Sequence, residues 1–241
     1  MKNNKLQTFF DADLEASSLR LANEIIAKLR QKINFFVKNK SQQKIFIALS
    51  GGNTPKNLFN LLAKNITKTE WQFIEIFQVD ERCVTSAGYN ITNRKLIQET
   101  LLKLATSATC HFIKLLNANN NPTIIAREYQ QKITERFEKY NKNNFDFIIL
   151  GMGNDGHTAS IFPTSKLLKN ITNKLVSSTN APTTASPQVP RITLTYQAIN
   201  NAENIYILLN GAEKINLLKS PKAKNLPIGK IKSSAKFFLS P

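Results

Sequence analysis

Cysteine is scarce: Cys83 and Cys110 are the only two in 241 residues. They show neither metal-ligand spacing nor the pattern of a disulfide framework, so they read as reduced thiols. Long apolar runs are missing too, and none approaches the ~20 residues that a membrane-spanning helix needs. The basic start, Met1-Lys2-Asn3-Asn4-Lys5, is not followed by the apolar segment of a secretory leader. These absences lead to the expectation of a cytoplasmic protein that makes no contact with membrane. Acidic residues are few, 16 against 33 Lys and Arg, giving a net charge of +17. Such an excess can serve nucleic-acid binding. Here, however, the lysines are spread along the whole chain, and no nucleic-acid motif or interleaved aromatic cluster accompanies them. The expectation is no nucleic-acid partner, but a diffuse positive field that attracts small anions.

The apolar fraction, 41%, is that of an ordinary globular chain, and the length suits one domain over residues 1–241. No repeat or linker interrupts it. Ala22, Ile25, Ile26, Leu29, Ile33, Phe36 and Val37 recur at helical spacing, which predicts a long amphipathic helix over residues 11–38. Residues 44–49 (KIFIAL), 73–79 (FIEIFQV) and 145–150 (FDFIIL) are short apolar runs that read as buried strands. Further strands are expected at 111–115, 191–195 and 204–209. Helices are expected from Pro55 to about residue 63, near 92–104, at 123–140 and at 211–218. Residues 179–190, rich in Ser, Thr, Ala and Pro, read as a loop. Strands alternating with helices imply an α/β fold: a mostly parallel, Rossmann-like sheet with helices on both faces. Ligands of such sheets collect beyond the carboxyl ends of the strands.

Three polar clusters fall at such ends. Ser50-Gly51-Gly52-Asn53-Thr54 lies between a strand and a helix start, where glycines allow close approach and helix N–H groups face an anion. It is equally a tight turn with an N-cap, and it lacks the Gly-Lys-Ser/Thr ending of a nucleotide-binding loop. Asp80-Glu81-Arg82 follows the second strand. Period-two alternation sends Asp80 and Arg82 to one side, where Arg82 can meet a phosphate or carboxylate. A plain surface salt-bridge cluster would look the same. Asp155-Gly156-His157 sits in the turn Gly151-Met152-Gly153-Asn154-Asp155-Gly156-His157. His157 there can take a proton from water, with Asp155 fixing its tautomer or orienting the substrate. The other histidine, His111, lacks such a setting and reads as structural. Arg191, after the Ser/Thr-rich loop, is a candidate anion ligand.

Together, Ser50-Gly51-Gly52-Asn53-Thr54-Pro55, Val79-Asp80-Glu81-Arg82, the block from Leu150-Gly151-Met152-Gly153 through Asp155-Gly156-His157-Thr158-Ala159-Ser160-Ile161-Phe162-Pro163, and Pro190-Arg191-Ile192-Thr193-Leu194-Thr195 resemble the 6-phosphogluconolactonase family. The related glucosamine-6-phosphate deaminases carry Phe-Asn-Glu-Pro-Gly after a similar turn. Here Thr158-Ala159-Ser160-Ile161-Phe162-Pro163 has no Glu, which matches the lactonases. The resemblance implies a Rossmann-like sheet without a dinucleotide site, and no metal or cofactor. It implies a sugar-phosphate substrate and hydrolysis of 6-phosphoglucono-δ-lactone in the pentose phosphate pathway. The chain itself is expected to be a monomer. By this resemblance His157 is the general base, residues 50–54 (Ser50, Gly51, Gly52, Asn53, Thr54) and Arg191 hold phosphate, and Asp80, Arg82 and Asp155 line the site. Two departures stand out: Gln188-Val189-Pro190 where relatives often have Lys-Pro-Pro, and Tyr89-Asn90 where the loop after Arg82 usually has Ser-Asn. A deaminase or isomerase, a non-catalytic sugar-phosphate sensor and a nucleic-acid binder remain the rival readings.

Overall fold

In the computed structural model, which describes residues 7–169 and 172–241, alternation along buried strands divides the apolar side chains between two cores. The basic stretch Met1-Lys2-Asn3-Asn4-Lys5 lies outside the described residues. The main sheet has seven strands, all pairing in parallel: β1 (Gln7–Phe10), β2 (Ile45–Leu49), β3 (Ile74–Gln78), β5 (Thr109–His111), β6 (Phe147–Leu150), β9 (Asn204–Asn210) and β10 (Lys236–Ser240). Their order across the sheet is β1-β10-β9-β6-β2-β3-β5. Ile45, Ile47 and Leu49 of β2 point to one core, and Phe46 and Ala48 to the other. Burying each such Ile, Leu or Phe contributes roughly 1.5–3 kcal/mol.

Helix α1 (Leu14–Lys38), α2 (Lys56–Asn65) and α4 (Asn93–Thr100) cover the first core. Helix α5 (Pro122–Lys139) and α6 (Tyr196–Asn201) cover the second. The short α3 (Lys68–Trp71) leads into β3, and α7 (Ala212–Lys219) follows β9. A second, antiparallel sheet of three strands packs on the α5 side: β4 (Asp80–Arg82), β8 (Arg191–Leu194) and β7 (Val176–Thr179), in the order β4-β8-β7. Among the described residues no helix is long and apolar enough to cross a membrane.

The expected helices and central strands are present, with three differences. The strand expected at 111–115 runs Thr109–His111, because the Ile113 N–H leaves the ladder to bond the Gln78 side chain at 2.7 Å. Val37, counted with the buried face of α1, is 61% exposed, since it lies one helical step past Phe36. Residue 79 does not end the chain's extended run. Val79 N–H bonds Leu49 in the main sheet, and its carbonyl accepts from Leu194 in the second, so the chain steps from one sheet to the other.

Candidate active site

The strand order places the site. From β2 the chain winds outward through β3 and β5; α5 returns it to β6 on the other side of β2, and β9 and β10 continue outward from there. Between β2 and β6 the loops diverge to opposite faces, which opens a crevice at the carboxyl ends of the strands. Asp146, 1% exposed, pins these two strands at their other ends: it accepts the Phe46 N–H at 2.7 Å and meets Lys32 at 3.0 Å and Lys142 at 2.9 Å.

A cleft of about 310 Å³ occupies that crevice. Its walls are the turn after β2 (residues 50–55), the turn after β6 (Gly151, Met152, Gly153 and His157), Asp80 and Arg82 of β4, Asn93 of α4 and Lys214 of α7. A second lobe of about 390 Å³ adjoins it and shares Asp80, Arg82, His157 and Ala159. Asp155, Ser160, Phe162, Thr184, Ser186 and Arg191 line this second lobe. Each lobe has the size of a small-ligand pocket.

At the junction stands His157. Its Nδ1 lies 2.6 Å from Asp155 Oδ1, which also accepts the His157 N–H at 3.0 Å. Burial pushes the Asp155 carboxyl up, but the hydrogen bonds and charge of His157 outweigh it and hold the group below the ordinary carboxylate value. An ionised Asp155 accepts from Nδ1–H, which leaves Nε2 as the basic nitrogen. The ring rests against Phe162 at 4.9 Å, and the turn closes behind it through Gly153 N–H to the His157 carbonyl at 2.9 Å. Gly156 has φ +80°, a conformation open to glycine at little cost.

β4 sends its residues both ways, as period two requires. Asp80 and Arg82 face the cleft. Asp80 accepts from Ser160 Oγ at 2.5 Å, and Arg82 Nη1 donates to the Ile91 carbonyl at 2.6 Å. Glu81 turns inward, 1% exposed. Its carboxylate accepts from Gln78 Nε2, Arg82 N, Asn93 N and Arg94 N at 2.6–2.8 Å, so it caps the start of α4. Burial pushes the Glu81 carboxyl up, despite these four donors.

In the turn after β2, the Ser50 hydroxyl is buried without a partner among the described residues, and α2 begins without a side-chain cap. Both leave donors for an anion. Lys214 faces the same cleft.

Similarity to known proteins follows this geometry. The model for glucosamine-6-phosphate isomerases and 6-phosphogluconolactonases matches residues 12–238. The chain belongs to that family. It is 34% identical to the 6-phosphogluconolactonase of Thermotoga maritima over 196 residues, covering 80% of this chain and 81% of that protein. Over 187 residues it is 33% identical to the 6-phosphogluconolactonase of Treponema pallidum, covering 75% and 73%. The crystal structure of a 6-phosphogluconolactonase from Shewanella baltica superposes with a TM-score of 0.82 at 30% identity, covering 98% of both chains.

Within this family member the cleft gathers Ser50, Gly51, Gly52, Asn53, Thr54, Asp80, Arg82 and His157, with Asp155 behind the histidine. Arg191 lines the adjoining second lobe, with Asp80, Arg82 and His157. Two cleft residues escaped the sequence reading. The first is Asn93. It follows Thr92, the N-cap of α4, and it is Asn93, not Tyr89 or Asn90, that lines the cleft. Asn93 Nδ2 donates to the Asp80 carbonyl at 2.9 Å. The second is Lys214, one of many scattered lysines, marked only by its position after β9. His111 sits apart in a buried cluster with Glu75 and Arg136. Cys83 and Cys110 are free, and burial pushes their thiols up to about 11 and about 12.

Proposed function

We propose that this chain hydrolyses 6-phosphoglucono-δ-lactone to 6-phosphogluconate, as a step of the pentose phosphate pathway. The observation that carries the reading is His157, paired with Asp155 and standing on the wall shared by two lobes that each hold cationic side chains. Asp155 holds the Nδ1 proton, so Nε2 takes a proton from water as the water oxygen adds to the lactone carbonyl. Arg82 donates to the carbonyl oxygen as it gains charge. When the adduct collapses, the bond from that carbon to the ring oxygen breaks, and His157 returns its proton to the ring oxygen. The acid product then ionises. The phosphate is a remote handle, held by Ser50, the N–H groups of residues 51–54 and Lys214, and its binding positions the carbonyl.

The family also contains isomerases that act on an amino-sugar phosphate. After His157, Thr158 bonds the Gly151 carbonyl and Ser160 bonds Asp80, and that segment brings no carboxylate into the cleft. The test compares the phosphorylated lactone with glucono-δ-lactone, after subtracting spontaneous hydrolysis. A kcat/KM at least tenfold higher for the phosphorylated lactone is expected, and equal values reject the phosphate handle. Ammonia released from glucosamine 6-phosphate would favour the deaminase instead.

A further inference from the structure

The peptide between Gly156 and His157 is held from both sides. On one side the His157 N–H donates to Asp155 Oδ1 at 3.0 Å, the same oxygen that meets Nδ1. On the other, the Gly156 carbonyl accepts the Ile228 N–H at 3.1 Å. Two bonds inside the turn, Gly156 N–H to the Gly153 carbonyl and Gly153 N–H to the His157 carbonyl, fix its shape. The bond from Ile228 ties it to a distant segment of the chain. Glycine leaves this peptide freer to rotate than any other residue would, and rotation would carry the His157 N–H off Asp155. Leu226 closes the same point from behind: a Cβ on Gly156 would lie 2.6 Å from Leu226 Cδ1. The segment is in turn gripped by α6. Tyr196, the first residue of that helix, donates from its hydroxyl to the Pro227 carbonyl at 2.9 Å, between Leu226 and Ile228. One helical turn later, on the same face, Asn200 takes the far end. Its Nδ2 donates to the Lys230 carbonyl at 3.0 Å, and its Oδ1 accepts the Lys232 N–H at 2.9 Å. Pro227 and Ile228 are buried, and Tyr196 and Leu226 pack against the core on the α5 side. Tyr196 lines neither lobe of the cleft.

Resting on the lactonase reading above, in which His157 is the base, we infer that Tyr196 is a positioning residue for the reaction. Through Pro227 it seats Leu226 and Ile228 against Gly156. That hold keeps the imidazole on Asp155, in the tautomer whose Nε2 accepts the proton from water.

Tyr196→Phe removes the hydroxyl and keeps the ring. Its kcat for the phosphorylated lactone should fall about tenfold, because small misplacements of a reacting group are costly, while KM stays within about twofold. The second readout needs no substrate. The chain has two histidines, so the nitrogen-15 spectrum of their rings is assigned by comparison with His157→Ala. At a pH where His157 is neutral, wild-type protein should show one tautomer, with the proton on Nδ1, and Tyr196→Phe a mixture of both. Asn200→Ala loses the two bonds at the far end of the segment and is the control: it should lower the melting temperature without moving either readout. An unchanged tautomer in Tyr196→Phe, an undiminished kcat, or a loss confined to KM overturns the assignment. So does an Asn200→Ala protein with the same changes, since that makes the effect one of general stability. If Tyr196→Phe does not fold, Leu226→Ala, which empties the space behind Gly156 and leaves the Tyr196 bond in place, decides by the same two readouts. Absence of wild-type turnover above the spontaneous rate would end the lactonase reading, while the change of tautomer in Tyr196→Phe would leave the hold on His157 standing.

Discussion

Gly153 stands so close to His157 that a Cβ there would lie 2.2 Å from the ring, and one on Gly51 would lie 1.8 Å from Asn93 Oδ1. The glycines of both turns thus make room for side chains of the cleft as well as for a ligand. Gly153→Ala should displace the imidazole and lower kcat by at least tenfold, with smaller effects on product binding. His157→Ala should lose about 10²–10⁴-fold of the turnover above background, the usual contribution of a general base. It should still bind 6-phosphogluconate within a few fold, because the proposed phosphate contacts lie on other residues. Steady-state kinetics at fixed pH, with the spontaneous rate subtracted, checks both variants, and an undiminished His157→Ala would end the mechanism. Lys214→Ala should chiefly raise KM, as expected for a group that grips the remote phosphate.

Single elements aim these residues. β4 is only three residues long, yet it serves three purposes: Asp80 and Arg82 enter the cleft, Glu81 enters the interior, and the strand ties the second sheet to the first through Val79. Glu81 binds the first N–H groups of α4 and so holds Asn93 against the turn after β2. Glu81→Ala strands several buried donors, each costing about 1–3 kcal/mol when unsatisfied. The expected result is a loss of at least about 2 kcal/mol in urea unfolding, with a raised KM in whatever folds. A variant as stable as wild type would show that water replaces the carboxylate. The loop at 180–190 takes its shape from the same ladder, since Arg191 holds the carbonyls of Pro187 and Val189.

For the molecule as a whole, charge acts in two ways. The net +17 favours the arrival of a doubly charged sugar phosphate, and this attraction is screened by salt. Buried acid groups set the lower pH limit. Burial pushes the Glu75 carboxyl up, but bonds from His111 and Arg136 outweigh it and bring the group down to about 2. A carboxyl depressed on folding holds fewer protons folded than unfolded, so its stabilisation is complete above the ordinary value of 4.5 and fades as pH falls toward about 2. Wild-type protein should therefore lose stability steeply between those values. Glu75→Gln should be less stable at pH 7 and flatter across that interval, as measured by thermal melting at a series of pH values. An unchanged slope would assign the acid sensitivity to another carboxyl.

Local patterns decided the periodic elements and the chemistry of the three turns. The amphipathic spacing of Leu29, Ile33 and Phe36, the all-apolar β2 and β6, and the glycines around His157 depend on neighbours a few residues away, so they are legible in the order of residues. The short pieces were not legible. β1 and β10 become strands only by pairing with each other and with β9, at opposite ends of the chain, and β7 exists only because β8 lies beside it. The histidine and its aspartate are two residues apart, and their pairing could be read directly. Asn93, Lys214 and the Arg82–Arg191 pair are joined by contacts between distant segments. What brings them together is the reversal of strand order between β2 and β6 and the register of β4 on β8, and both are set by long-range packing that no local pattern encodes.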